Sequence, residues 1–521
     1  MVNKTFILCL ILSFIFSYPS FSQVRNKTTQ EKAKTERRVP QKRIKKMHKV
    51  DNSGKLTNPK KKVNTPGVYV QETSNSIPSI TQVETGIPVF IGYTEKGSNI
   101  PTKISSMQDY KAKFGGASNE DIGEFLINSD GSITSPNILN TPKYKMYYML
   151  ELFFDNGGSD CLITSVGHYN NSIRNEDLLD GLALLENEDL PTLLLFPDIT
   201  SSENTGDPAE VYKAALAQCA ERNDRFLICD VKASHGDISE SVEKFRFSMG
   251  TENLKFGAAY FPPLLTTLNY RYSEDRIQVK LNNKRLVLRH PETEISANPN
   301  KADTSLYHVE NGRFRTQYQD IKQLIHAKHL ELPPSAAVAG VYAKIDTSKG
   351  VWKAPANVSL NKVTAPTMEI DNNAQNNLNV DSSGKSINAI RSFKGKGVMV
   401  WGARTLAGND NEWRYIPVTR LAMTIETSVK NALEHYENAP NDPETWNKVK
   451  AMTTNYLTTL WRAGALNGTN PEAAYFVRVG LNETMTEQDL NNGKMIVEIG
   501  MASSRPAEFS LLRISQDMNG N

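Results

Sequence analysis

The sequence predicts a multi-domain protein that joins an α/β region to an α+β region and carries β-arms at its ends. Three observations support this fold class. The chain has 521 residues, which is more than a single hydrophobic core usually organises. Helical and strand patterns alternate between residues 142 and 261, as in α/β units. Two long amphipathic helix patterns begin near residue 418 and precede three strand patterns.

The α/β region is predicted from apolar runs separated by polar turns. One helix is expected from Pro142 to Asn156, with Thr141 as its N-cap and Gly157 as its stop. Another helix is expected over residues 208–221, capped by Asp207. The strands expected around these helices are Ile87–Tyr93, Cys161–Val166, Leu193–Phe196, Phe226–Val231 and Phe256–Phe261.

The middle of the chain is less regular. Residues 273–310 are charged and without periodicity, which predicts a long surface excursion, and residues 321–329 have a helical pattern. Ala336 and Gly340 lie in a run of small residues that permits close backbone packing. Residues 371–385 are polar and rich in Asn, so a linker or loop is expected there.

The carboxy-terminal region starts with Val398–Arg420, where a strand pattern, a Gly-Asn-Asp-Asn turn and a second extended piece lead into a helix. That helix shows apolar residues at helical spacing from Val418 onward. A second helix is predicted to open at Asp442 and to stop at Gly464. The strands expected after it are Ala474–Val479, Lys494–Met501 and Glu508–Ile514, the last alternating Phe509, Leu511 and Arg513.

The amino terminus combines an export-like signal with a basic stretch. Lys4, the apolar run Phe6–Phe16 and a small-residue site before Gln23 have the form of a secretory signal peptide. Between residues 25 and 62 there are 15 Lys or Arg and 3 Asp or Glu, a net charge of +12 that leaves −9 for the rest of a chain carrying +3. This stretch predicts a disordered extension or, alternatively, a basic arm for an acidic surface or nucleic acid. A start of translation at Met47 would remove the signal-like segment.

Residues that could carry chemistry form no catalytic or metal-binding pattern. Ser383–Ser386 has the sequence of the end of a phosphate-binding loop, but Asn379 replaces its first glycine and no strand precedes it. His326 and His329 lack a third ligand and indicate a surface pair. The sequence contains no GxSxG, HExxH or GxGxxG motif.

Acidic residues and cysteines are explained by structure rather than by catalysis. Asp198 and Asp230 are expected at strand ends, where α/β enzymes place carboxylates. The position of Asp230 is explained by a turn after the strand, and that of Asp207 by its role as the N-cap of a helix. The cysteines contain no CxxC pair, and buried free thiols are expected. They are Cys9, Cys161, Cys219 and Cys229.

Several segments together, and in order, resemble the contractile tail sheath protein family of phages and phage-like injection particles. The resemblance extends roughly over residues 65–514. The segments that carry it are TPGVYVQE at Thr65–Glu72, FFDNGG at Phe153–Gly158, LPPSAAVAGVYAKIDTSKGVWKAP at Leu332–Pro355, INAIR and VWGARTL within Ile387–Leu406, WRY at Trp413–Tyr415, Pro440–Leu466, TMT at Thr484–Thr486 and VEIGMASSRPAEF at Val497–Phe509.

The resemblance implies a multi-domain tail-sheath fold and a structural function that needs neither an enzymatic site nor a cofactor. Sheath subunits of this family form six-membered rings that stack helically around an inner tube, and contraction of the stack drives the tube through a target envelope. The implied partners are further copies of the chain, the inner tube protein, and baseplate and tail-terminator or cap proteins. Neither nucleic acid nor stable membrane insertion is implied.

The family also implies assembly in the cytoplasm, and a subunit that is part of a released phage-like particle or virion. The signal-like amino terminus departs from this pattern, so either export or a start at Met47 stays open. The expected division of the chain is a signal-peptide-like segment at 1–22, a basic extension at 23–63, an amino-terminal arm at 64–85, an outer α/β region at 86–385, an inner α+β region at 386–504 and a carboxy-terminal β-arm at 505–521.

Three groups of residues are implied to mediate assembly. The arms would donate strands to neighbouring subunits through Pro66, Gly67, Val68, Tyr69, Val70, Pro506, Phe509, Leu511 and Ile514. The core or the subunit interface of the inner region would include Trp401, Arg404, Trp413 and Arg414. The face toward the tube would include Glu426, Lys430 and Glu434, for which a plain solvated helix face is the alternative.

The residues alone leave other functions open. Within the family, the subunit could belong to a phage virion or to an extracellular or cell-bound injection system. Outside it, a secreted α/β hydrolase would fit the signal-like start, although no nucleophile motif supports it. A secreted adhesive or surface-layer protein that uses β-arms is a further alternative.

Overall fold

The computed structural model describes residues 79–519 except 139–140, 203, 205, 235, 283, 289–304, 504 and 506. The signal-like segment, the basic extension and a start at Met47 therefore lie outside the described residues. The same holds for the arm residues Pro66, Gly67, Val68, Tyr69, Val70 and Pro506.

The described strands are β1 Pro88–Thr94, β2 Thr102–Ile104, β3 Glu124–Ile127, β4 Ile133–Thr134, β5 Cys161–His168, β6 Leu193–Leu195, β7 Phe226–Asp230, β8 Gly257–Phe261, β9 Leu264–Thr266, β10 Gln278–Leu281, β11 Lys284–Val287, β12 Glu331–Leu332, β13 Val358–Ser359, β14 Val363–Pro366, β15 Ile387–Phe393, β16 Gly397–Trp401, β17 Tyr475–Arg478, β18 Lys494–Met501 and β19 Ser510–Asp517.

The described α-helices are α1 Met107–Phe114, α2 Met146–Asp155, α3 Asn175–Ala183, α4 Pro208–Arg222, α5 Ile238–Ser248, α6 Val309–Gly312, α7 Arg315–His326, α8 Ser335–Lys349, α9 Asn372–Asn379, α10 Ile416–Leu433, α11 Pro443–Arg462, α12 Pro471–Ala474 and α13 Glu487–Asn491. This mixed content confirms the predicted fold class.

The largest sheet has nine strands in the order β13-β16-β15-β8-β7-β6-β1-β5-β2. The strands from β15 to β5 in this order run parallel, and antiparallel strands complete both edges. The chain passes from β1 to β5 on one side and then to β6 on the other, so the strand order reverses at β1. This is the doubly wound arrangement of α/β domains.

The parallel strands form because their apolar runs are covered on both faces. Every residue of β1, β7 and β8 is buried, as expected for continuous apolar strands in a parallel sheet. Cys161, Cys219 and Cys229 are buried free thiols, which confirms that part of the prediction. Cys9 lies outside the described residues.

Helices α2 and α8 pack against each other and contact the strands β1, β6 and β7. Close approach depends on Gly340, because a Cβ atom there would lie 2.5 Å from the carbonyl oxygen of Phe153. The close packing predicted for this run of small residues is therefore confirmed.

Two hydrophobic clusters fill the described chain. The first surrounds the nine-stranded sheet, and the second combines α10, α11 and a three-stranded sheet in the order β17-β18-β19. Helix α10 belongs to both, since Ile416 and Met423 lie in the first cluster and Leu421 and Ile425 in the second. The strands β15 and β16 follow residue 386 but complete the large sheet. Apart from Val351, the buried residues of the second core lie in α10 and in the chain after it.

Helix α2 begins four residues after the predicted start at Pro142. Thr141 is not its N-cap, since Lys145 holds that position without a side-chain cap. Instead Asp198, distant in sequence, accepts the backbone N–H of Lys145 at 2.6 Å. The predicted cap was wrong because this helix is capped through tertiary structure.

Two segments predicted to lack regular structure contain some. Within 371–385, α9 is capped by Asp371 and buries Leu378. Arg246 donates hydrogen bonds to the carbonyl oxygens of Leu378 and Lys385 at 3.0 and 2.9 Å, which holds this polar segment against α5. Within 273–310, β10 and β11 form an antiparallel hairpin that joins β3 and β4 in a four-stranded sheet.

The two long helices and three strands predicted for the carboxy-terminal region are present in the predicted order, and two short helices, α12 and α13, were not predicted. The Arg404 and Tyr415 bridge closes the turn after β16, and α10 starts directly after it. Asp442 caps α11 by accepting the N–H of Thr445 at 2.9 Å. The predicted alternation in β19 marks the wrong face, because Leu512 and not Leu511 points inward.

Candidate assembly site

The three-stranded sheet β17-β18-β19 has an edge at which another strand could be added. Strands β18 and β19 pair antiparallel over eight residue pairs, from Lys494 with Asp517 to Met501 with Ser510. Within the described residues β19 pairs with no other strand, so its second edge is open. An open edge presents unpaired N–H and C=O groups that can accept a strand from another chain.

The side chains of β19 divide between core and surface. Leu512 and Ile514 are 5% and 4% exposed and lie in the second core, whereas Leu511 is 57% exposed. Phe509, just before the strand, packs edge-to-face on Phe476 of β17 with ring centroids 5.2 Å apart. Of the predicted arm residues that are described, Phe509 and Ile514 therefore hold the strand on its own sheet and Leu511 faces outward.

The described chain begins beside this second core. Ile80 packs against it, and the backbone N–H of Val83 donates to Ser428 Oγ at 3.0 Å. The chain then continues toward β1. The amino-terminal approach to the large sheet therefore runs along α10.

The end of β16 and the loop that follows it contain the predicted aromatic and arginine residues. Trp401 is 36% exposed, with its ring centroid 4.5 Å from that of Phe393. Arg404 donates to the carbonyl oxygen of Gly408 at 3.2 Å, and Arg414 donates to the carbonyl oxygen of Asp410 at 2.7 Å.

The ring of Trp413 lies under the ammonium of Lys255, 4.8 Å from the ring centroid to Nζ. None of Trp401, Arg404, Trp413 and Arg414 is fully buried. Their contacts within the chain stabilise the connection between the two cores. Contact of these residues with other subunits stays a prediction.

A buried ion pair that sequence reasoning missed joins α10 to α8. Arg420 Nη1 donates to Asp346 Oδ1 at 3.0 Å, and the side chains are 5% and 2% exposed. The guanidinium also lies over the ring of Tyr342, 4.8 Å from its centroid. The available signal was an arginine inside the apolar stripe of α10, but only the fold shows that Asp346 faces it.

The predicted tube-facing side chains lie along one side of α10. Glu426, Lys430 and Glu434 line a cleft whose opposite wall includes Asn223 at the end of α4. Burial raises the pKa of Glu426, and a hydrogen bond from Asn223 and the charge of Lys430 oppose the rise. Contact of these residues with a tube stays a prediction.

The aspartates predicted at strand ends have structural partners. Asp198 accepts the N–H groups of Tyr93 and Lys145. Asp230 accepts the N–H and the hydroxyl of Ser335 at 2.8 and 2.5 Å. Burial raises the pKa of Asp230 to about 7, and the bonds from Ser335 oppose this. Asp207 caps α4 as predicted.

The other candidate sites do not assemble. His326 ends α7 and His329 lies beyond it, so the two do not share a helix as predicted. Lys385 and Ser386 are buried, and the hydroxyl of Ser386 donates to the carbonyl oxygen of Asn379 at 2.6 Å. Among the described residues, no three His, Cys, Asp or Glu side chains converge as a metal site. None of the described helices is long and apolar enough to cross a membrane.

Comparisons with known proteins decide the family. Residues 206–406 match the family model for the phage tail sheath protein central domain, and residues 408–517 match that for the phage tail sheath C-terminal domain. The helical sheath of the anti-feeding prophage in its contracted state is 30% identical, with a TM-score of 0.56, over 87% of this chain and 100% of that one. The chain belongs to the contractile tail sheath family.

Further sheath structures agree with this assignment. The sheath complex of the extracellular contractile injection system PVC, in its contracted state, is 28% identical with a TM-score of 0.57, over 89% of this chain and 100% of that one. A sheath tail protein from Desulfitobacterium hafniense shares the fold at 9% identity and a TM-score of 0.50, over 87% and 100% of the two chains. No curated protein matches the chain.

The matches also bear on domain organisation and function. The two family models meet near residue 407, close to where α10 leads the chain from the large sheet into the second core. The protein is a structural sheath subunit, and the hydrolase and adhesive alternatives are not favoured.

Proposed function

We propose that this sheath subunit polymerises as helically stacked six-membered rings around an inner tube and contracts to drive the tube through a target envelope. The single observation that carries the proposal is the 30% identity, covering 87% of this chain, with a sheath solved as a contracted helical assembly. A contact between two different surfaces of one subunit does not close on itself and therefore generates a helical polymer.

Contraction requires subunits to move without separating. Main-chain hydrogen bonds between added strands and a sheet edge can persist while side-chain contacts between cores are remade. The open edge of β19 is such an acceptor, since β19 pairs only with β18 within the described residues. The proposed donor is the part of the amino-terminal arm at 64–85 of a neighbouring subunit that precedes residue 79, since residues 510–517 already form β19 on their own sheet.

Among contractile machines, we favour an extracellular injection system. The anti-feeding prophage and PVC sheaths are 30% and 28% identical to this chain, whereas the sheath tail protein from Desulfitobacterium hafniense is 9% identical. The proposed partners are then an inner tube protein, a baseplate and a cap protein. The subunit would assemble in the producing cell's cytoplasm and leave it within the particle.

Electron microscopy of the subunit expressed with its neighbouring tube and baseplate genes tests the proposal. Striated cylinders with six-fold symmetry, in a long and a short form, are the expected result. Monodisperse globular particles at all protein concentrations would contradict polymerisation. Cylinders that never enclose a tube would contradict the proposed contractile mechanism.

A further inference from the structure

A cleft of about 730 Å³ lies between α10, the end of α4 and the residues that precede β1. Its walls are mostly polar. The charged side chains that line it are Glu84, Asp189, Glu221, Arg222, Asp224, Glu426, Lys430 and Glu434. Carboxylates therefore outnumber cations in this acidic cleft.

The cations of the cleft do not balance its carboxylates. Arg222 is already shared between Asp189, at 2.6 Å, and Asp224, at 2.7 Å. Lys430 lies four residues from both Glu426 on α10 and Glu434, which directly follows α10. Four carboxylates of the cleft form no ion pair in the part of the chain that the structure describes. They are those of Glu84, Glu221, Glu426 and Glu434.

Unpaired carboxylates that share a cleft repel one another, and partial burial strengthens this repulsion. The raised pKa of Glu426 has burial as its main cause. A cationic group that entered the cleft would reduce the repulsion, and its attraction to the carboxylates would offset the cost of their lost hydration. The cleft therefore suits a segment with several closely spaced cations rather than an apolar or acidic partner.

The chain itself contains such a segment. Residues 25–62 carry 15 Lys or Arg against 3 Asp or Glu, and the rest of the chain has a net charge of −9. The part after Met47 keeps a positive balance whichever start is used. Its lysines are Lys49, Lys55, Lys60, Lys61 and Lys62, and its one acidic residue is Asp51.

We propose that the acidic cleft binds the Lys/Arg-rich segment 25–62 of a neighbouring subunit. Val83 and Glu84 of the same chain form one wall of the cleft. In a polymer the neighbouring copies are present at a high effective concentration. The inference rests on the proposed function, because it requires neighbouring copies.

Such a contact adds a salt-dependent connection between subunits that the β-arms do not provide. Exposed and partly buried charge pairs weaken as ionic strength rises, because the Debye length falls to about 8 Å at physiological salt and about 3 Å at 1 M. The segment and the cleft would thus hold neighbours together most firmly at low salt. The tube-facing prediction assigns the same glutamates to another partner.

Lysine-directed cross-linking of the full-length assembled protein tests the inference. Subunits labelled with ¹⁴N and ¹⁵N are mixed before assembly and then treated with a lysine–lysine cross-linker. Mass spectrometry should find mixed-isotope links between Lys430 and the lysines of residues 49–62. Links that join only peptides of the same isotope would show contact within one chain and would overturn the proposal.

Charge-neutral variants sharpen the test. The triple substitution E221Q, E426Q and E434Q leaves Lys430 in place, and should lower the yield of mixed-isotope links about tenfold. The matched control replaces three exposed glutamates outside the cleft, E243Q, E369Q and E412Q. An equal yield in both variants would overturn the cleft as the binding site.

Microscopy of the same samples separates this inference from the proposed function. Cylinders that form without any links to Lys430 would overturn the docking contact and leave the sheath function intact. Soluble subunits that neither form cylinders nor give mixed-isotope links would contradict the proposed function itself.

Discussion

Arg420 shows how one side chain can connect two cores. Its guanidinium is buried between Asp346 and the ring of Tyr342, on the helix α10 that contributes residues to both hydrophobic clusters. A buried pair adds little net stability compared with apolar residues of the same shape. Removing one partner, however, leaves an uncompensated charge in the interior.

Substitution R420M is expected to lower the free energy of unfolding by about 3–5 kcal/mol, because Asp346 is left buried without its partner. Urea denaturation of the unassembled subunit measures this. The double variant with D346L should recover much of the loss.

The control for this prediction is K448M, which breaks the exposed pair with Glu444 on α11. Solvent screens exposed pairs, which therefore contribute little to stability, so this variant should unfold almost like the unchanged protein. A loss of the same size in R420M and K448M would contradict the role of Arg420.

At the scale of elements, β19 is both a core strand and an open edge. Ile514 is 4% exposed and Leu511 is 57% exposed, so neighbouring residues of one strand serve packing and surface. Substitutions on the two sides of this strand can therefore test the stability of the subunit and its assembly separately.

Substitution L511D should leave the unfolding midpoint nearly unchanged and sharply reduce cylinder formation, since it places a charge on the outer face beside the open edge. Substitution I514D should instead destabilise the folded subunit by several kcal/mol, because it buries a carboxylate in the second core. Denaturation curves and negative-stain counts of cylinders provide the two measurements. Full assembly of the L511D variant would argue against β19 as a contact element.

The whole subunit combines a nine-stranded doubly wound sheet with a second core on a separate three-stranded sheet. Asp230 and Lys145 are buried, and Glu120 is partly buried. Burial raises the pKa values of Asp230 and Glu120 to about 7 each, and it lowers that of Lys145 to about 8. These groups make the stability of the subunit depend on pH.

Because the folded protein binds protons more tightly at Asp230 and Glu120 than the unfolded chain, the stability that these two carboxyls contribute is fully present below about pH 4 and is lost as the pH rises to about 7. Each carboxyl contributes a slope of at most about 1.4 kcal/mol per pH unit. Lys145 acts in the opposite sense, and its contribution rises above pH 8.

Urea midpoints between pH 5 and 7 should fall less steeply in D230N than in the unchanged protein, because one titrating carboxyl is removed. The exposed Asp320 provides a control through D320N, for which the slope should stay the same. Equal slopes in all three proteins would mean that Asp230 does not titrate in this range.

The sequence by itself determined the elements whose cause is local. Apolar runs marked the parallel strands, Asp207 and Asp442 marked the helix starts that they cap, and the order of short motifs indicated the family. Elements or helix starts that depend on contacts with residues far away in the sequence were not predicted. Helix α9 is polar and depends on Arg246 from α5, and α2 is capped by Asp198.

Only the tertiary structure decided which residues of this sheath subunit meet. The pairing of Arg420 with Asp346, the outward side of β19 and the acidic cleft each combine residues far apart in the chain. Periodicity shows that a side chain is buried or exposed, but it does not show what lies opposite. The physical reason is that helix caps and apolar stripes depend on neighbours within a few residues, whereas ion pairs, clefts and sheet edges depend on the packing of whole elements.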